Sequence, residues 1–271
     1  MTSQFKLLYT YFITICFWRV LAFAIVAFSW FAGSWISGGV LPDPVQSFER
    51  ILSSHSGYVN EGVPFWTHIA YTGGRAYLGL LIALMFSIPV AILVTTQKHV
   101  TYSILSLIEF ARSVPAFMFL LVLICISVTQ EWARMTCIVY STSVIMIDYL
   151  VTAIAKTPAE YSEPYHLIGQ RGVKLFFISK WMPLFLNAIL PSLRIGVGVS
   201  LIVALVVETL IQPEKGMGMM INSYLGQGNL EGGLVLITVS GLLGWIGNIV
   251  ITIMSDVSRW VFEGTPLAQT E

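Results

Sequence analysis

Arg75, Asp148, Arg194 and Glu208 stand in or at the edge of long apolar runs, where a charge is expensive. Such a group persists where it is paired, lines a water-filled path or carries an ion. The chemistry on offer is therefore ion pairing, or the passage of a solute past fixed charges. Arg194 and Glu208 lie 14 residues apart, about 21 Å along a helix and only about 40° around it. One helix face would thus carry both, with Gly196 and Gly198 between them. Two readings stay open. In one, pairs such as Glu208 with Arg75, or Asp148 with a lysine, hold helices together. In the other these residues form a translocation path, with Glu208 as a pathway or outer-gate residue.

Other chemistries find little support. His55, His68, His99 and His166 are scattered, and the spacing of Cys16, Cys125 and Cys137 matches no metal site. No GxxxxGK[ST] phosphate loop occurs. The stretch GMGMMI begins like a dinucleotide fingerprint but lacks its third glycine and follows no strand. Met217, Met219 and Met220 read as an apolar contact, and Gly241, Gly244 and Gly247 as close-packing positions.

The elements that must position these residues are membrane spans. The 271 residues are 56% hydrophobic and 10% charged, with a mean hydropathy of +0.80. The composition predicts an all-α integral membrane protein. A net charge of zero leaves no basic footprint for nucleic acid. Apolar runs of spanning length occur at 20–42, 76–97, 113–130, 135–155, 195–213 and 232–255, predicting six transmembrane helices. With the N-terminus cytoplasmic, eight basic residues lie inside: Lys6, Lys98, Arg112, Lys156, Arg171, Lys174, Lys180 and Arg259. Only Arg50, Arg134 and Lys215 lie outside. The positive-inside rule then places both termini in the cytoplasm.

This topology divides the chain into an N-terminal region with the first span (1–37), an outer segment (38–70), a five-span core (71–258) and a cytoplasmic tail (259–271). In the outer segment Asp43 is placed to cap a short surface helix opening at Pro44, with Val45, Phe48, Ile51 and Leu52 on one face. Residues 213–233 are glycine-rich and read as a loop.

Between spans four and five, residues 156–183 form the one substantial cytoplasmic segment, including EYSEPYHLIGQRGVK. Thr157-Pro158-Ala159-Glu160 is a capping box, Ser162 caps a second start with Glu163 in its first turn, and Gly169 and Gly172 supply stops. Lys174 and Lys180 are placed to snorkel toward headgroups. Such a segment is either a solvated connector or a docking helix for a cytoplasmic partner.

The segment resembles the EAA loop of permease subunits of binding-protein-dependent ABC importers. Glu163 and Gly169 keep that motif's six-residue spacing, and Pro183 stands near its proline. Pro164 and Tyr165 replace the two alanines, Met182 replaces the leucine, and the Gly-to-Pro interval is one residue longer. LPSLRIGVGVSLIVALVVETL resembles the family's fifth span, GMGMMI its following Gly-Leu-Gly turn, and RSVPAF its entry to span three. VLPDPV resembles a segment of the nitrate, sulfonate and taurine branch. The resemblance runs over residues 38–258.

It implies a type I permease subunit of the bacterial cytoplasmic (inner) membrane, not an enzyme. A coupling helix carrying Glu160, Glu163, Pro164, Tyr165, Gly169 and Arg171 would dock on a cytoplasmic ABC ATPase dimer. Mg-ATP would be bound there, with no cofactor on this chain. A second permease copy, an extracytoplasmic substrate-binding protein and membrane lipid would complete the surroundings. The substrate would be a small anion or organic solute. The alternative is a self-contained ion-coupled secondary transporter using Asp148 and Glu208.

Overall fold

A backbone inside lipid must satisfy its own N–H and C=O groups, so long apolar runs become helices. The computed structural model describes residues 2–38, 40–53, 63–96, 98–126, 129–156 and 184–263, among which there is no strand. The helices are α1 (Thr2–Ile36), α2 (Pro44–Ser53), α3 (Phe65–Thr96), α4 (Lys98–Ser113), α5 (Ala116–Ile126), α6 (Gln130–Lys156), α7 (Leu190–Leu210), α8 (Met217–Gln227) and α9 (Leu230–Glu263). A π-helical turn, Phe185–Ile189, leads into α7. Its wider register stands directly before Pro191, whose missing N–H interrupts the α-helical ladder there.

Among the described residues four stretches are long and apolar enough to cross a membrane: Phe65–Thr95, Gln130–Ile154, Phe185–Leu210 and Leu230–Arg259. A fifth candidate is the pair Ile104–Ser113 and Met118–Ile126, bent by 98°. The sixth expected run survives as the shorter apolar stretch Val20–Ile36 within α1. Two expected boundaries change. The run 113–130 divides at Val114-Pro115, because proline lacks a donor and pushes the preceding residue out of helical backbone. The second span begins at Phe65 rather than 76, since Arg75 is paired and can stay inside the helix.

The core lies where α3, α6 and α7 meet. Ala76, Leu80 and Ala83 of α3, Ile138 and Met146 of α6, and Val197 and Leu201 of α7 belong to one buried cluster. A Cβ on Gly196 would stand 2.5 Å from Leu80 Cδ1 and 3.1 Å from Met146 Sδ, so the backbone of α7 approaches as only glycine permits. Gly247 of α9 plays the same part against Tyr77 and Val197, while Gly241 faces open space. Phe28, Met85, Phe86, Ile202 and Val250 point outward and exposed, as suits a surface bathed in lipid.

α1 leans on the bundle through Phe23 against Trp245, with ring centroids 4.7 Å apart. The Trp30 indole donates to the Pro42 carbonyl at 3.0 Å. Asp43 caps α2, its Oδ1 accepting from the Val45 and Gln46 amides at 2.8 and 3.1 Å. Of the expected apolar face, Phe48 packs against the cluster around Phe65 and Met217 while Val45 is exposed, and Pro44 and Ser47 are buried beside it; the side chains of Ile51 and Leu52 lie outside the described ones. The glycine-rich stretch also differs, because most of it is α8. Its Met217, Met219, Met220 and Tyr224 are buried against Phe65, Ile69 and Leu236. Burial of these side chains outweighs the weak helix propensity of its glycines. Gly228, at φ 65°, ends it in the left-handed conformation typical of a helix stop.

Candidate functional site

His68, Thr72 and Arg75 recur at intervals of four and three residues on α3, so they share one helix face. All three are buried, at 1%, 0% and 9% exposure. Glu208, fully buried in the last turn of α7, faces them. Arg75 Nη1 donates to Glu208 Oε1 at 2.8 Å and to the Lys215 carbonyl at 2.8 Å. Its Nε and Nη2 donate to the two oxygens of Glu131 on α6, at 3.0 and 2.6 Å. Every nitrogen of this guanidinium is therefore partnered, by a fork geometry that lysine lacks. Glu131 also accepts from Arg134 Nη1 at 2.6 Å, and Arg134 Nη2 donates to Gln130 Oε1 at 3.1 Å.

The same network caps α8. Its first turn has unpaired N–H groups and no side-chain cap of its own. The Gly216 amide donates to His68 Nδ1 at 3.1 Å, Met217 to Thr72 Oγ1 at 2.7 Å, and Gly218 to Glu208 Oε2 at 3.1 Å. The Thr72 hydroxyl in turn donates to Glu208 Oε2 at 2.6 Å. Space dictates the glycines. A Cβ at Gly216 would lie 2.6 Å from Glu208 Oε2, and one at Gly218 would lie 2.5 Å from Glu208 Cβ. The carboxylate thus sits against both a helix N-terminus and an arginine, two sources of positive potential. Four elements, α3, α6, α7 and α8, are pinned at one end of the bundle.

Beside this clasp opens a cleft of about 470 Å³, lined by residues of α3, α6 and the 211–216 connection. Among the described residues no group of three or more His, Cys, Asp or Glu could hold a metal ion.

The four charges singled out in the sequence do not converge. Arg75 and Glu208 meet directly. Asp148 lies about 26 Å along α6 from Glu131 by helical rise. It pairs with Arg112 of α4 at 2.5 Å, an arginine rather than the lysine expected, because α4 ends there before Pro115. Arg194 donates to Thr252 Oγ1 of α9 at 3.0 Å. Glu160, Glu163, Pro164, Tyr165, Gly169 and Arg171 lie outside the described residues. His68, Thr72 and Glu131 were not anticipated. The 68–72–75 polar stripe and the Glu131–Arg134 spacing carry the signal for them.

No protein-family model matches the chain. It is 27% identical over 214 residues, 76% of each protein, to the taurine transport system permease protein TauC of Escherichia coli. The chain is thus similar to a taurine transport permease over three quarters of its length, and its described residues form a helical bundle with apolar stretches of membrane-spanning length.

Proposed function

We propose that the chain forms half of the translocation pore of an ATP-driven importer for a small anion or organic solute. A second permease copy, a cytoplasmic ATPase dimer binding Mg-ATP, and an extracytoplasmic binding protein complete it. The observation that carries this reading is the similarity to a taurine transport permease across 76% of both chains. The relative's taurine belongs to the relative; for this chain it supports a sulfonate or similar small anion.

In this reading the segment 160–183 docks in a cleft of the ATPase, with Glu163 and Gly169 at the contact. Pro164 and Tyr165 make that surface bulkier than two alanines would. Closure of the ATPase pair pulls on the segment and switches the pore between inward- and outward-facing states. The placement of Lys and Arg supports a cytoplasmic position for both termini and an outer position for the clasp. A network that pins four elements at the outer mouth suits a two-state gate, since packed polar networks reform as units rather than deform smoothly. The ion-coupled alternative asks Asp148 and Glu208 to carry ions, yet each carboxylate is bound by an arginine.

Co-expression with the genomic neighbours tests the reading. The purified chain is expected to bring down an ATPase, and uptake should stop when ATP is depleted. Glu163→Lys and Gly169→Trp should abolish ATPase association while membrane insertion is unchanged. Uptake that continues without ATP and without a co-purifying ATPase overturns it.

A further inference from the structure

At the end of the bundle away from the clasp, Arg194 of α7 is exposed and lies against α9, its Nη2 donating to Thr252 Oγ1 at 3.0 Å. That hydroxyl donates onward to the Asn248 carbonyl at 2.8 Å. Asn248, Thr252, Ser255 and Arg259 recur at intervals of four, three and four residues, which keeps them within about 60° of one helix face. All four are partly exposed. Exposed Ile195, Ile253, Met254 and Val257 flank this polar stripe, as on a surface that meets acyl chains. No ion pair to Arg194 or Arg259 occurs among the described residues. Asp256 stands at the edge of the stripe, one carboxylate against two guanidiniums, so the groove is net positive.

Depth sharpens the point. The apolar stretch Leu230–Arg259 has 30 residues, about 45 Å of helix. Centred in a bilayer, it puts Thr252 about 11 Å and Arg259 about 22 Å from the midplane. The hydrocarbon ends at about 15 Å and the headgroups beyond it at about 20–22 Å. The guanidinium beside Thr252 and the one on Arg259 therefore bracket the headgroup layer. A charge held at the edge of the hydrocarbon without a carboxylate calls for an anion that is itself anchored in lipid.

We propose that the groove between α7 and α9 binds the phosphate of an acidic phospholipid, held by Arg194 and Arg259 with the Ser255 hydroxyl between them. Guanidinium forks match phosphate oxygens in pairs, and basic pockets between spans take acidic headgroups in this way. The acyl chains lie along Ile195, Ile253, Met254 and Val257. A zwitterionic lipid brings its own cation into a groove already positive and is disfavoured. That the site faces the inner leaflet rests on the orientation proposed above; the binding rests only on the spans.

The test is native mass spectrometry of the full chain in detergent, offered phosphatidylglycerol and phosphatidylcholine in equal amounts. Phosphatidylglycerol should be retained about tenfold over phosphatidylcholine. The preference should fall about fivefold or more in Arg194→Gln and in Arg259→Gln, and be partly restored in Arg194→Lys. Excess sn-glycerol 3-phosphate, which has the phosphate but no chains, should leave the lipid bound. Equal retention of the two lipids, or a preference unchanged in both glutamine variants, overturns the site. Displacement by glycerol phosphate overturns it in favour of a soluble ligand. Loss of self-association in Arg194→Gln with lipid retention unchanged shows instead that a second copy covers the groove. ATPase association is read on the same preparations, so failure here and failure of the importer reading are distinguishable.

Discussion

At the scale of single residues, the buried Arg75–Glu208 pair works because each charge is met by several partners. Arg75 spreads over Glu131, Glu208 and the Lys215 carbonyl. Glu208 collects Arg75, Thr72 and the Gly218 amide. Removing one partner of such a pair leaves an uncompensated charge, at about 3–5 kcal/mol. Glu208→Gln is therefore expected to lower stability by about that amount in denaturant titration of the purified chain. Arg75→Gln with Glu208→Gln together should be less damaging than the sum of the two, by about 1 kcal/mol or more. Additive losses would show that the contact is incidental. Lost uptake with unaltered stability in Glu208→Gln would return this residue to a role in the path. The sequence made the expense of these charges legible, and one of the pairings weighed from it is the contact seen. Glu131 was not, because its long-range partner Arg75 is reached only when α3 and α6 pack.

At the scale of elements, α8 shows why a glycine-rich stretch need not be a loop. Gly216 and Gly218 are there for close approach to Glu208, and side chains from α3 and α7 supply the cap that the local sequence lacks. The two caps from α3 come from 148 and 145 residues away and leave no local signature, while Glu208 lies only 10 residues from the Gly218 amide it accepts. Contrast Asp43 and α2, where cap and helix adjoin and the start was readable from sequence. Thr72→Val keeps shape but removes the donor to Glu208 and the acceptor for the Met217 amide. We expect a loss of about 1–3 kcal/mol and faster amide exchange confined to the first turn of α8. Gly218→Ala should do the same by collision, whereas Gly226→Ala, with nothing within 4 Å of its Cβ, should be neutral or slightly stabilising. Equal exchange at Met217 in wild type and Thr72→Val would remove the trans-capping account.

At the scale of the whole molecule, the hydropathy pattern fixes which runs become helices but not how many cross. Among the described residues four are long and apolar enough to do so, α4 and α5 share a bend, and α1 carries a shorter apolar stretch. The parity of crossings decides on which side the segment 157–183 lies, and hence whether an ATPase can reach it. In the proposed orientation, which rests on the excess of Lys and Arg, this segment and both ends of the chain are cytoplasmic and the clasp is outside. Three positions separate the possibilities in a chain whose cysteines are replaced: Ser3→Cys in α1, Gln212→Cys between α7 and α8, and Gln269→Cys near the C-terminus. A membrane-impermeant maleimide should label Gln212→Cys in intact cells, and the other two only after the membrane is opened. If Ser3→Cys labels from outside while Gln269→Cys does not, α1 fails to cross and the crossings are odd in number. If Gln212→Cys is protected and Gln269→Cys labels, the bundle is inverted. The segment 160–183 would then face away from any cytoplasmic ATPase, and the docking proposal would fall with the orientation on which it stands.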